Sequence, residues 1–347
     1  MSPKRRSTVV LVAERAGVSI ASVSRVLNGL PTSPEVKAKV EAAARELDYV
    51  PDATARSLKV GKTEQIAFAV PDLGNPAYVT MMRAVTDVVA GGGYRLVMSS
   101  TGSDPDAQID LLRSVNRGYA DGLILVPLRI TAELVEELSS SRLPIAVVGT
   151  LPDSVPIDNV RAVSADGVGM ALDHLYANGR RHIAFVNGPV DTVPGAARLA
   201  GYLAAMKRIG LPTTAELQVE ADDFTFDAGL VAAQALLAQA TPDAVMCAND
   251  LLAVATMKVL ARADRAVPAD VAVVGMDDSD LAELASPSLT SVNLGAAERA
   301  AAAAELLLSR LADPGQDHRH VIVEPQLTVR ESSMHAPTAH PSRGHRR

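Results

Sequence analysis

Val12-Ala13-Glu14-Arg15-Ala16-Gly17-Val18-Ser19, followed at once by Ile20-Ala21-Ser22-Val23-Ser24-Arg25-Val26-Leu27-Asn28, decides how this chain is read. The stretch reads as two short helices joined by a tight turn. Thr8 is placed to cap the first helix, where Val9, Val12, Ala13 and Ala16 recur at helical spacing. Gly17 tolerates the positive φ that a sharp helix–helix turn requires. Ser19 caps the second helix, and Val18, Val23, Val26 and Leu27 face inward. Ile20, Ala21, Ser22, Ser24, Arg25 and Asn28 are left to point outward or along the edges. A helix-turn-helix offers one helix to the major groove of DNA. Arg forks onto guanine or grips a phosphate, Ser and Asn bond base edges or phosphates, and Ile20 and Ala21 suit thymine methyls. A plain helical hairpin explains the small residues, but not the turn glycine, the cap and the outward Ser/Arg/Asn set together. A third helix follows. Ser33 caps it, Pro34 fits its first position, and Val36, Val40, Ala43, Ala44 and Leu47 form its apolar stripe. Pro51 biases Val50 out of the helical region.

The run from Ser7 to Leu58 resembles the DNA-binding headpiece of the lactose-repressor/galactose-repressor family of bacterial transcriptional regulators. The matching residues are Val12-Ala13, Ala16-Gly17-Val18-Ser19, Val23 to Asn28, Leu47, Tyr49, Pro51 and Ala55-Arg56-Ser57-Leu58. The likeness continues to about Ser332. Leu11 departs from the usual acidic residue, and Asp52 stands where the family has Asn, which sets a negative charge near phosphate. The segment Asp52 to Val60 is helix-capable but shorter than the roughly 12 residues at which isolated helices become marginally stable. The resemblance implies that two such segments of a dimer pair in the minor groove and that Leu58 wedges between base pairs, with Ala55 beside the groove. Arg56 and Lys59 are suited to neutralising phosphates. A simple linker with an incidental Leu is the alternative, and Gly61-Lys62-Thr63 reads as linker.

Charge distribution supports the nucleic-acid reading although the net charge is −7. Residues 1–62 hold eleven Lys and Arg against six Asp and Glu, a net of +5, while the remainder holds 22 against 34, a net of −12. A basic arm on an acidic body is what a single nucleic-acid-binding domain produces. The one cysteine, Cys247, permits no intrachain disulfide and sits in an apolar run as a small hydrophobe. No apolar stretch follows Lys4-Arg5-Arg6 as in a signal peptide, and none reaches the ~18 residues of a membrane span, so a cytoplasmic protein with no membrane partner is expected.

Beyond Thr63, buried-strand runs alternate with helical segments. Strand onsets near 66, 94, 122 and 145 are echoed near 183, 217, 243 and 271, with Ile183-Ala184-Phe185-Val186 matching Ile66 to Val70 in character. Two α/β halves of this kind form a clamshell that holds a ligand where the carboxyl ends of the strands face each other. The resemblance implies the same: a core like that of bacterial periplasmic sugar-binding proteins, built of two parallel-sheet Rossmann-like subdomains, with three chain crossings between them. The expected organisation is an all-α headpiece at 6–50 and a hinge helix and linker at 51–63. The first core half spans 64–161 with 293–314, the second spans 162–292 with 315–333, and a disordered tail occupies 334–347.

Loops after strands carry the candidate ligand residues. Arg198 stands among Ala and Gly near a helix start; Asn249 and Asp277 end strands; Phe224 follows the strand near Leu217; Asn75 and Tyr78 follow the first strand. An aromatic face, a forked cation, an amide and a carboxylate suit a polyol, and an unpaired member of such a set is costly when buried. The resemblance implies that Arg198, Phe224, Asn249 and Asp277 touch an effector, with Tyr78 a weaker match. Asn75 reads equally as turn residue or contact, and Asp250 and Asp278 read as caps of the helices that follow. Gly91-Gly92-Gly93 is a helix stop, and Gly167-Val168-Gly169 lacks the third glycine of a dinucleotide fingerprint. The histidines His318, His320, His335, His340 and His345 are too loosely spaced for a metal. No leucine heptads follow Ser333, so a homodimer is expected rather than a coiled-coil tetramer. No cofactor, metal or catalytic residue is expected. The sum is a repressor that binds a partly palindromic operator and responds to a small effector such as a sugar. The rival readings are a sugar-binding receptor without operator specificity, which leaves residues 1–60 unexplained, and an α/β sugar-modifying enzyme, for which no base–nucleophile pair or phosphate loop is present.

Overall fold

Side-chain oxygens start each of the first three helices. Thr8 accepts from the Leu11 N–H, Ser19 from Ser22 and Ser33 from Val36, opening α1 (Val9–Ala16), α2 (Ile20–Leu27) and α3 (Pro34–Glu46). These elements come from a computed structural model that describes residues 7–50 and 61–334. Gly17 ends α1 at φ +64°, the left-handed turn that lets α2 double back. Val12, Val23 and Val40, one from each helix, are fully buried against one another, with Val36, Ala44, Leu47 and Tyr49 around them. An Arg15–Glu46 ion pair ties α1 to the end of α3. The chain divides into two compact units, Met1–Thr63 and Glu64–Arg347. The hinge positions Ala55, Arg56, Leu58 and Lys59 lie outside the described residues, as does the tail from 335 onward.

The second unit is built on two six-stranded sheets. The first contains β1 (Gln65–Val70), β2 (Arg95–Ser100), β3 (Gly122–Leu125), β4 (Ile145–Val148), β5 (Asp158–Ala162) and β11 (His320–Val323), ordered β11-β5-β4-β3-β1-β2 and wholly parallel. The second contains β6 (Ile183–Asn187), β7 (Gln218–Glu220), β8 (Ala244–Cys247), β9 (Ala272–Met276), β10 (Thr290–Asn293) and β12 (Gln326–Thr328), ordered β12-β10-β9-β8-β6-β7, with only β12 antiparallel. The two-halved α/β core read from the sequence is therefore present.

Alternation along β1 shows why its run is continuously apolar. Ile66, Phe68 and Val70 pack under α4 (Pro76–Gly91) and α12 (Ala296–Ala312), while Ala67 and Ala69 pack on the opposite face under α5 (Pro105–Ser114) and α6 (Ala132–Ser140). In the second lobe α7 (Ser164–Ala177), α8 (Val193–Arg208), α9 (Phe226–Gln239) and α10 (Asp250–Arg262) contribute to one shared core, and Phe185 stacks on Tyr202 at 4.9 Å. A short α11 (Asp280–Leu284) follows β9.

The chain crosses between lobes after β5, after β10 and after β11. The last crossing corrects the sequence reading, which returned the chain to the second lobe at 315. His320–Val323 pairs in parallel with β5, so the return falls at Glu324–Pro325. The cause is a buried anchor: Arg310 forks onto Asp158 at 3.0 Å through two nitrogens and also donates to the Asp317 carbonyl, which holds the turn after α12 on the first lobe. Among the described residues no helix is long and apolar enough to cross a membrane, and no His/Cys/Asp/Glu cluster could hold a metal.

Candidate functional site

The two units each carry a surface suited to a ligand. On the headpiece, α2 exposes Ile20 and Ala21 at its start and Arg25 and Asn28 at its end, with Ser22 and Ser24 half-buried between. Thr8 and Ser19 spend their hydroxyls on helix caps. Arg25 donates to the Pro31 carbonyl at 3.0 and 3.3 Å, and the Asn28 amide donates to the Ser24 carbonyl at 2.7 Å. Arg25 therefore braces the loop after α2 and Asn28 closes the last turn of that helix, while both stand at its exposed edge.

In the core unit, a cleft of about 830 Å³, counting the part open to solvent, lies between the lobes at the carboxyl ends of β1, β3, β4, β6, β8 and β9. All the ligand residues read from the sequence line it: Asn75 and Tyr78 from the first lobe, Arg198, Phe224, Asn249 and Asp277 from the second. Met81, Val126, Leu128, Val148, Val193 and Leu294 give it apolar walls.

Each polar member has a definable task. Asn75 caps α4 through the Ala77 N–H at 2.9 Å. Asn249 caps α10 through the Leu252 N–H, and its amide nitrogen donates to the Phe224 carbonyl at 2.8 Å, so it fixes the aromatic wall. Gly188 permits that wall: a Cβ there would lie 2.3 Å from the Phe224 ring. The Arg198 guanidinium lies 5.6 Å over the same ring and donates to the Ala248 carbonyl at 2.7 Å. Its Nε is buried and has no hydrogen-bond partner among the described residues. Asp277 is held at φ +114° by its own N–H on the Val292 carbonyl. Burial pushes its carboxyl up to about 7, against the opposing pull of the Arg198 charge. Burial, reinforced by Asp277, likewise raises the Tyr78 hydroxyl, and burial lowers Arg198.

Asp250 and Asp278 correct the sequence reading, because neither caps a helix. Asp250 accepts from the Ser279 N–H and hydroxyl at 2.8 and 2.7 Å and from the Ser291 hydroxyl at 2.5 Å, tying the ends of three strands together under the cleft. Asp278 pairs with Arg330 at 2.7 Å and accepts from Thr328. Cap positions and loop anchors share the same residue type, and only the tertiary partners separate them. Cys247 is buried and its thiol is pushed up to about 12 by that burial, which removes it as a nucleophile.

Two features escaped the sequence. Arg299, in the first turn of α12, reaches the cleft from the first lobe, its Nε donating to the Leu294 carbonyl at 2.8 Å. At the cleft mouth Arg129 of the first lobe forks onto Asp191 of the second, both nitrogens at 2.8 Å, and the Val193 N–H donates to the Leu128 carbonyl at 2.8 Å.

Comparison with known proteins agrees with both surfaces. Residues 11–52 match the family described as bacterial regulatory proteins, lacI family, and residues 172–333 match the periplasmic binding protein-like domain. The HTH-type transcriptional regulator CelR of Thermobifida fusca is 35% identical over 96% of this chain and 100% of its own length. The ribose operon repressor of Escherichia coli (strain K12) is 33% identical over 94% of this chain and 100% of its own. Among solved structures, a transcriptional regulator CelR–cellobiose complex superimposes with a TM-score of 0.71 at 33% identity, covering 94% of this chain and 100% of that one. The lac repressor dimer bound to operator and an anti-inducer superimposes with a TM-score of 0.82 at 25% identity, covering 95% and 100%. An exposed recognition-type helix, a two-lobed core and these full-length likenesses lead to one conclusion: the chain belongs to the lacI family of bacterial regulatory proteins, transcriptional regulators that bind DNA.

Proposed function

We propose that this protein is a cytoplasmic, homodimeric repressor that docks two headpieces on a partly palindromic operator and is switched by a small hydroxylated metabolite held between the core lobes. The observation that carries the reading is the convergence of Tyr78 from one lobe with Arg198, Phe224, Asn249 and Asp277 from the other on a single cleft. A ligand gripped by both lobes binds one lobe arrangement better than another, which is the differential affinity a switch needs. The relative solved with cellobiose and the relative solved on operator support the same pairing of ligand and DNA. On this reading Ile20, Ala21, Ser22 and Arg25 meet base edges, and Thr8, Ser19, Ser24 and Asn28 meet phosphates. Ala55, Arg56, Leu58 and Lys59 act in the minor groove.

The test is selection of duplexes from a random pool by the full chain, followed by titration of the winner at increasing salt. A preferred, partly palindromic site whose affinity falls steeply with salt and changes on adding a metabolite supports the reading. Equal binding to all duplexes, with or without metabolites, sinks it.

A further inference from the structure

We infer that the ligand of this cleft carries an anionic group, a carboxylate or a phosphate, beside its hydroxyls, and that Arg299 selects for it. The inference rests on the cleft being the effector site, and it adds the ligand's charge. Asp277 is the only acidic side chain among the described residues lining the cleft, and it faces two guanidiniums, Arg198 and Arg299. Among the described residues neither forms an ion pair with it. The donors are largely uncommitted. Arg299 spends only its Nε, on the Leu294 carbonyl, and its two terminal nitrogens have no hydrogen-bond partner among the described residues. Arg198 spends one terminal nitrogen on the Ala248 carbonyl and leaves its Nε buried without a partner among the described residues.

Asp250 behind the cleft and Glu298 beside Arg299 also act on these charges, yet neither bonds to a guanidinium, so a neutral polyol leaves the free N–H donors of two buried cations with uncharged acceptors only. An anionic oxygen accepts charge-assisted hydrogen bonds from them. The placement adds a consequence. Arg198 stands on the second lobe and Arg299 on the first; burial disfavours the charge on Arg299, Asp277 supports it, and Arg198 disfavours it further. An anion lodged between the two guanidiniums adds an attraction to both lobes at once, so it favours one lobe arrangement.

The experiment is calorimetric titration of the full chain with matched probes: D-glucose, D-glucuronate and D-glucose 6-phosphate, and the corresponding galactose set. At least one acidic member is expected to bind about tenfold or more tightly than its neutral parent. The uronate and phosphate arms tell the two anion chemistries apart. Arg299→Met is expected to erase the preference and Arg299→Lys to retain part of it, with melting curves of both variants confirming that they fold. Neutral parents that bind as tightly as the acids, or an acid-to-neutral ratio unmoved by Arg299→Met, overturn the inference while leaving the cleft as effector site. If no probe binds, the inference falls, and operator titration with the wider metabolite set then decides whether the effector-site reading falls with it.

Discussion

Asp277 concentrates the chemistry of the cleft in one carboxylate. Its folded value near 7 stands above its ordinary 3.8, so the folded state holds a proton that the unfolded state has already released. The group's contribution to stability is therefore fully present below about pH 4 and is lost as pH rises toward 7. Asp277→Asn is expected to melt above the parent at about pH 8, with the gap narrowing toward about pH 5, as read by thermal denaturation. Gly188→Ala is expected to displace the Phe224 ring and weaken ligand binding while the second lobe remains folded, as checked by titration and circular dichroism. Phe224, Asn249 and Asp277 were legible in the sequence because each sits in a loop following a strand of the second lobe; Arg198 was legible as a lone cation among Ala and Gly, although it lies in the second turn of α8 and not in the loop before it. Arg299 was not legible. Its neighbours are Glu298 and a run of alanines, which read as an ordinary helix face, and only the crossing after β10 turns the start of α12 into the cleft.

Helices and strands differed in how openly the sequence declared them. The α1–α2 pair was readable from its caps and glycine turn, and parallel strands such as β1 and β8 from unbroken apolar runs. β11 was hidden, since an edge strand buries only alternate residues and His320-Val321-Ile322-Val323 is followed by a polar turn rather than a helix. β5 was hidden too, because its buried positions include Asp158 and Asn159. The anchor between α12 and β5 makes a prediction of its own. Asp158→Asn strands the buried Arg310 without a counter-charge and is expected to cost about 3 kcal/mol or more in urea unfolding. In the hinge segment, Leu58→Ala is expected to reduce DNA bending and operator affinity while ligand titrations stay unchanged; unaltered bending would remove the wedge from the mechanism.

At the scale of the whole core, the Arg129–Asp191 fork and the Val193–Leu128 backbone bond hold the two lobes together at the cleft mouth. Asp191 is largely exposed, so solvent screening keeps the fork weak. Arg129→Ala is expected to speed ligand release by roughly fivefold or less, measured by stopped flow, and high salt should mimic part of the effect. The three crossings have a different kind of consequence, which concerns how the molecule is made. The first lobe begins at β1 but receives its covering helix, α12, only after the entire run from α7 to β10 has been synthesised. At about 5–20 residues per second, Ile66, Phe68 and Ile124 wait without that cover for on the order of ten seconds during synthesis. The emerging chain thus leaves apolar surface half-covered over that interval, and nonsense mutations before α12 should yield aggregates rather than a free-standing amino-terminal half.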